Sequence, residues 1–92
     1  MARIIKATGE LEKIEPGNHS DFQLEELQKI VGGCIEIINL FNGKILVVNE
    51  EGKLKGLEQN EIATTIAHDA DAIADWDCIV GDVLYCLSEE VL

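Results

Sequence analysis

The sequence predicts an α+β fold: a mainly antiparallel sheet of about five strands with two main helices packed on it. Three observations carry this. Short stretches rich in isoleucine, leucine and valine recur along the chain, separated by turn residues. Two longer segments carry apolar residues at helical spacing. The resulting order is β-β-α-β-β-α-β, and hairpins joined by helices close into an antiparallel sheet. With 92 residues the chain is read as a single domain, 1–92, with room for one core but not for a deep cleft between domains.

Residues 2–7 are the first expected strand. Thr8-Gly9 is a turn, and residues 10–15 alternate polar and apolar as a second strand. Pro16-Gly17-Asn18 marks a loop. Ser20 then stands three residues before Gln23, the spacing of a capping box with Ser20 as N-cap. Leu24, Leu27, Ile30 and Val31 follow at helical spacing, with Glu25, Glu26 and Lys29 on the other side. Gly32-Gly33 ends this helix, because glycine takes the left-handed C-cap without strain.

Cys34 to Phe41 reads as a strand, and Asn42-Gly43 is the strongest short hairpin signal, since both turn positions need positive φ. Lys44 to Val48 returns. A two-residue turn sets Leu40 opposite Ile45 and Ile38 opposite Val47. Both faces of this hairpin are largely apolar, so a central position is expected, covered on both sides or by a second subunit. Asn49 to Gly52 is a turn, and residues 53–57 are irregular. A second helix starts at Asn60 and turns Ile62, Ala63, Ile66, Ala67 and Ala70 inward. Carboxylates are unfavourable at a helix C-terminus, which places a break near His68-Asp69. Cys78 to Leu87 is the last expected strand, with Gly81 as a bulge.

Charge is the unusual feature. Eighteen acids against seven bases leave a net charge of −11. Residues 1–55 hold nine acids and all seven bases, a net of −2, whereas residues 56–92 hold nine acids and no base, a net of −9. Such a chain is repelled by nucleic acid and anionic membranes and is drawn to basic protein surfaces. No apolar run is long enough to span a membrane. Residues 1–6 lack the apolar stretch of a signal peptide, so a cytoplasmic protein is expected. Cys34, Cys78 and Cys86 are odd in number and widely spaced, which argues against a disulfide framework. Cys78 and Cys86 fall on one expected strand, and all three read as small buried hydrophobes.

Three segments together resemble a small uncharacterised domain family. They are Leu27-Gln28-Lys29-Ile30-Val31-Gly32-Gly33-Cys34-Ile35-Glu36, Val48-Asn49-Glu50-Glu51-Gly52-Lys53-Leu54-Lys55-Gly56-Leu57 and Ile79-Val80-Gly81-Asp82-Val83-Leu84. The family is a domain of unknown function found in phages, plasmids and conjugative elements of gut Gram-positive bacteria. The resemblance covers residues 2–87 apart from the acidic segment 68–77. It implies a mobile-element setting and supplies no catalytic residues.

Segment 68–77 holds His68, Asp69, Asp71, Asp75, Trp76 and Asp77. A hard cation needs several such oxygens, but the spacing and glycine of an EF-hand loop are missing. The alternatives are a solvated acidic face and a docking face for a basic partner. Trp76 is either a core residue or an aromatic anchor in that face. Glu36 is expected beside Asn49 as a structural pair. Asp82 is expected at a cap or bulge, and His19 on an exposed loop. There is no phosphate-binding glycine loop, no Gly-x-Ser-x-Gly, no Cys-x-x-Cys and no basic stripe with aromatics. No catalytic group, metal or cofactor is therefore expected. The favoured function is a non-enzymatic interaction module, with Glu58, Glu61, Asp69, Asp71, Asp75, Trp76 and Asp77 as partner-binding residues. In this reading it is an inhibitor imitating nucleic-acid charge on a basic host protein such as a defence nuclease. The alternatives are a small-ligand or divalent-metal domain at the same segment, and a homodimer through strands 34–48.

Overall fold

The computed structural model describes residues 1–91. Its elements are β1 (Arg3–Ile5), β2 (Leu11–Lys13), α1 (Leu24–Val31), β3 (Ile35–Asn39), β4 (Lys44–Asn49), α2 (Glu61–Asp69) and β5 (Val83–Leu87), followed by a 3-10 turn at Ser88–Glu90. The five strands form one antiparallel sheet in the order β2-β1-β5-β4-β3. This is the expected α+β class and order.

Alternation along β4 and β5 explains why the helices lie on opposite faces. Ile45, Val47, Leu84 and Cys86 point to one side and meet Leu27 and Val31 of α1, with Phe22 and Ile4 completing that core. Leu46, Val48 and Val83 point to the other side and meet Ala63 and Ala67 of α2, together with Ile5 and Ile79. A strand apolar on both faces is stable only when covered twice, and β4 and β5 are. The hairpin as a whole is not central, however. β4 is interior, while β3 forms the sheet's edge and leaves Ile37 40% exposed.

The first helix begins later than its capping spacing suggests. Gln23, not Ser20, is the N-cap, and the Glu26 carboxylate accepts the Gln23 N–H at 2.7 Å and the Gly17 N–H at 2.8 Å. Asn18 takes up the preceding loop instead, accepting from the N–H groups of Ser20 and Asp21. The expected glycine stop is present: Gly32 has φ 83°, and the N–H groups of Gly32 and Gly33 both donate to Gln28 O.

The Asn42-Gly43 turn also forms, with φ of 57° and 73°. The register beyond it differs from expectation by one residue. Lys44 N–H donates to Phe41 O, yet Lys44 O accepts from Leu40 rather than Phe41. Leu40 and Phe41 thus face one residue, a bulge that sets Ile38 opposite Leu46 and Glu36 opposite Val48. The slip keeps Ile38 and Leu40 on the α2 face of the sheet.

The last strand starts at Val83 rather than Cys78, because Gly81 at φ 77° turns the chain out of extended conformation. Before that turn, Val80 forms a single bridge with Gln59. Cys78 and Cys86 therefore lie on different segments. Cys86 is buried as expected, Cys78 half-buried and Cys34 exposed. Burial pushes the Cys86 thiol up to about 12, with Glu90 adding to the shift, so it stays neutral.

The three segments that carry the family resemblance meet in space. Asn49 Nδ2 donates to Val31 O at 3.1 Å, tying the second segment to the first. Gly52 lies so close to Val80 that a Cβ there would stand 2.7 Å from its Cγ2, which ties the second segment to the third.

Candidate functional site

Asn60 organises this side of the molecule. Its side-chain oxygen accepts the Ala63 N–H at 3.0 Å and so caps α2. Its Nδ2 donates to Ile5 O at 2.8 Å and to Gly81 O at 2.9 Å, joining β1, α2 and the segment before β5. Thr64 adds a second link, accepting from Ile79 N–H at 2.9 Å. With α2 fixed, its C-terminus sets the course of the acidic segment. Asp71 takes φ 57°, its N–H donates to His68 O, and Ala72 N–H donates to Ala67 O. This is a Schellman stop with Asp71 where glycine is usual.

The chain from Ala72 to Val80 then crosses above the sheet and faces loop 50–57. Between them and β3 lies a groove of about 500 Å³. Its apolar lining includes Ile38, Val48, Ile73 and Ile79, and its polar lining Glu36, Glu50, Lys53 and Asp77. The two loops are locked together. Lys53 Nζ is paired with the Asp77 carboxylate, which also accepts the Cys78 N–H at 2.8 Å. His68 Nε2 is hydrogen-bonded to Asp77 O at 2.9 Å. The Lys53 hydrogen bond, then the Cys78 amide, hold the Asp77 carboxyl below its ordinary value, and the same bond raises Lys53.

Each of these loops carries a large hydrophobic side chain that stands mostly in solvent. Leu54 is 88% exposed and Trp76 is 86% exposed. Trp76 is therefore not a core residue. Glu58, Glu61, Asp69, Asp71 and Asp75 are all exposed, and only Asp77 of the seven expected residues is drawn into a pair. The carboxylates do not converge. Among the described residues, no group of three or more His, Cys, Asp or Glu side chains is placed to hold a metal ion. Glu36 lies opposite Val48 and on the groove, not beside Asn49, whose amide is engaged by Val31 and Glu51. Asp82 accepts the Ala7 N–H at 3.0 Å and secures the end of β1, and His19 is exposed with φ 60°. No helix among the described residues is long and apolar enough to cross a membrane.

Lys53, Leu54, Glu50 and Ile73 did not stand out in the sequence as parts of a site. Their relevance comes from the crossing of two loops, which no local pattern announces.

These features define a small acidic three-layer domain, with an antiparallel sheet between two helices and a groove at one sheet edge. Residues 3–90 match the family model described as "Domain of unknown function (DUF3846)", and the chain belongs to that family. No curated protein and no solved structure matches it.

Proposed function

We propose that this domain is a non-enzymatic interaction module of a mobile element. Its base-free half docks on a basic host protein and inhibits it, a nucleic-acid enzyme such as a defence nuclease being the partner that this charge suits best. One observation carries the reading: Trp76 stands 86% exposed between Asp75 and Asp77, on a segment pinned by His68 and Lys53. A tryptophan held in water forgoes about 4 kcal/mol of apolar burial, and a partner surface can recover it. Because the segment is already ordered, little conformational entropy is lost when it docks. The surrounding carboxylates supply steering and salt sensitivity.

The test is capture of partners from host lysate at low and high salt, with the native chain and two variants. Trp76→Ala touches no packing, so its denaturation midpoint should match the native one. Its partner binding should weaken at least tenfold, the scale of an aromatic hot spot. Changing Asp69, Asp71, Asp75 and Asp77 together to Asn should abolish the salt-sensitive component. Full capture of the same partner by both variants would sink the reading.

A further inference from the structure

The two edges of the sheet are built differently. β2 spans three residues, two of them Glu12 and Lys13, and charge and shortness both discourage pairing. β3 spans five residues, Ile-Glu-Ile-Ile-Asn, with no proline and no lysine. Its bulge lies beyond the strand, at Leu40-Phe41. Leu40 donates to Lys44 O, and Cys34 O accepts from Glu50, so the even-numbered residues aim their backbone groups at β4. By the alternation of an antiparallel ladder, Ile35, Ile37 and Asn39 aim theirs outward. Among the described residues, three pairs of N–H and C=O groups thus stand free along the rim of the groove.

We propose that this edge takes up an extended segment of a partner protein as an added strand, with a basic residue beside Glu36 and an aliphatic residue beside Ile38. The proposal deepens the acidic-face reading, on which it rests for the basic character of the partner, by naming the backbone that the partner pairs with. The side chains select the occupant. Residues of an added strand that share the groove face stand two apart, alongside Glu36 and Ile38. Ile38 continues into the apolar floor with Ile73. Lys53 is taken by Asp77, which leaves Glu36 and Glu50 as the groove's unpaired charges among the described residues. On the opposite face, the added strand covers Ile37. Charge also argues against a second copy of this chain, because each copy brings a net −11 to the contact.

The probe is a blocked nine-residue threonine peptide with Lys, Ile and Lys at its third, fifth and seventh positions, titrated into the full chain labelled with ¹⁵N and ¹³C. Expected are amide shifts at Ile35, Ile37 and Asn39 with methyl shifts at Ile38 and Ile73. Methylating alternate peptide nitrogens should remove them. Glu36→Lys, at an exposed site, should weaken binding roughly fivefold or more, the scale of an exposed pair turned repulsive. Ile37→Pro deletes an outward N–H together with the Ile37 side chain, and should weaken binding well beyond Ile37→Ala, which loses the side chain alone; in that excess the proline variant should act like the methylated peptide. If that variant unfolds, the peptide control and Glu36→Lys still decide.

Shifts confined to residues 69–77 would overturn the added strand and leave the acidic-face reading standing. No shifts at millimolar peptide would also overturn it. Shifts at β3 that grow with protein concentration alone would overturn it in favour of a second copy. The acidic-face reading fails separately, if the fourfold Asp→Asn variant keeps salt-sensitive capture.

Discussion

Asn60 offers the sharpest test of how this fold is held, because its two side-chain ends do different work. The residue is 1% exposed, its oxygen caps α2, and its nitrogen bridges Ile5 O and Gly81 O. Asn60→Ala removes three buried hydrogen bonds at about 1 kcal/mol each, a loss of roughly 3 kcal/mol. About 1 kcal/mol of that belongs to the cap. For a domain of this size the melting temperature should fall by about 15 °C. Asn60→Asp separates the two roles. Asp is as good an N-cap as Asn, and its charge suits a helix N-terminus. It also sets a carboxylate oxygen against two carbonyl oxygens that now accept at 2.8 and 2.9 Å. It should therefore cost at least as much as Ala, whereas a residue that only caps would tolerate it. Urea denaturation followed by far-ultraviolet circular dichroism reads both variants. A stability for Asn60→Asp within about 1 kcal/mol of the native chain would refute the bridging role.

Two further outcomes follow from the acidic segment. Asp71 occupies a left-handed position at φ 57° where glycine is unstrained, so Asp71→Gly should raise stability by about 0.5–1 kcal/mol in the same urea assay; a loss of stability would contradict the Schellman assignment. The Lys53–Asp77 tether should hold the loop across a wide pH range. Asp77 titrates below its ordinary 3.8, so the tether is complete above about pH 4 and is lost as pH falls through the lowered value. Lys53 titrates above its ordinary 10.5, so the tether is complete below that pH and is lost as pH rises through the raised value. Amide exchange of residues 72–78 should accelerate in Lys53→Met at pH 7, and equal exchange in both chains would show that the pair does not tether the loop.

What the sequence disclosed was whatever short-range chemistry dictates. Gly32-Gly33 stops a helix, Asn60 starts one, Asn42-Gly43 turns a hairpin, and the apolar runs mark every strand. What it concealed depended on which of several competing contacts prevails, some of them between residues far along the chain. The capping spacing at Ser20 was outcompeted because Asn18 organises its own loop and Glu26 serves Gln23 and Gly17. The hairpin register turned on where a bulge falls, and at Leu40-Phe41 no glycine marks it. The candidate acidic residues were visible as composition. The groove, which Asp77 alone of them lines, was not, because it needs Lys53 to reach that carboxylate 24 positions away. Trp76 was legible as an alternative between core and anchor, and only its placement resolves which.

Strand order has a consequence for how the chain acquires its shape. β1-β2 and β3-β4 are two local hairpins, and neither touches the other in the sheet; β5, the last strand in sequence, lies between them. A nascent chain that has released α2 but not Val83 holds two hairpins with no shared ladder, and β4 has lost one of its neighbours. Closure waits for contacts spanning most of the chain, the kind that delays folding and exposes apolar edges meanwhile. Partial synthesis should thus yield nothing protease-resistant, and resistance should appear in one step once β5 is free of the ribosome. Graded resistance in chains ending before residue 83 would show that the hairpins fold without their keystone.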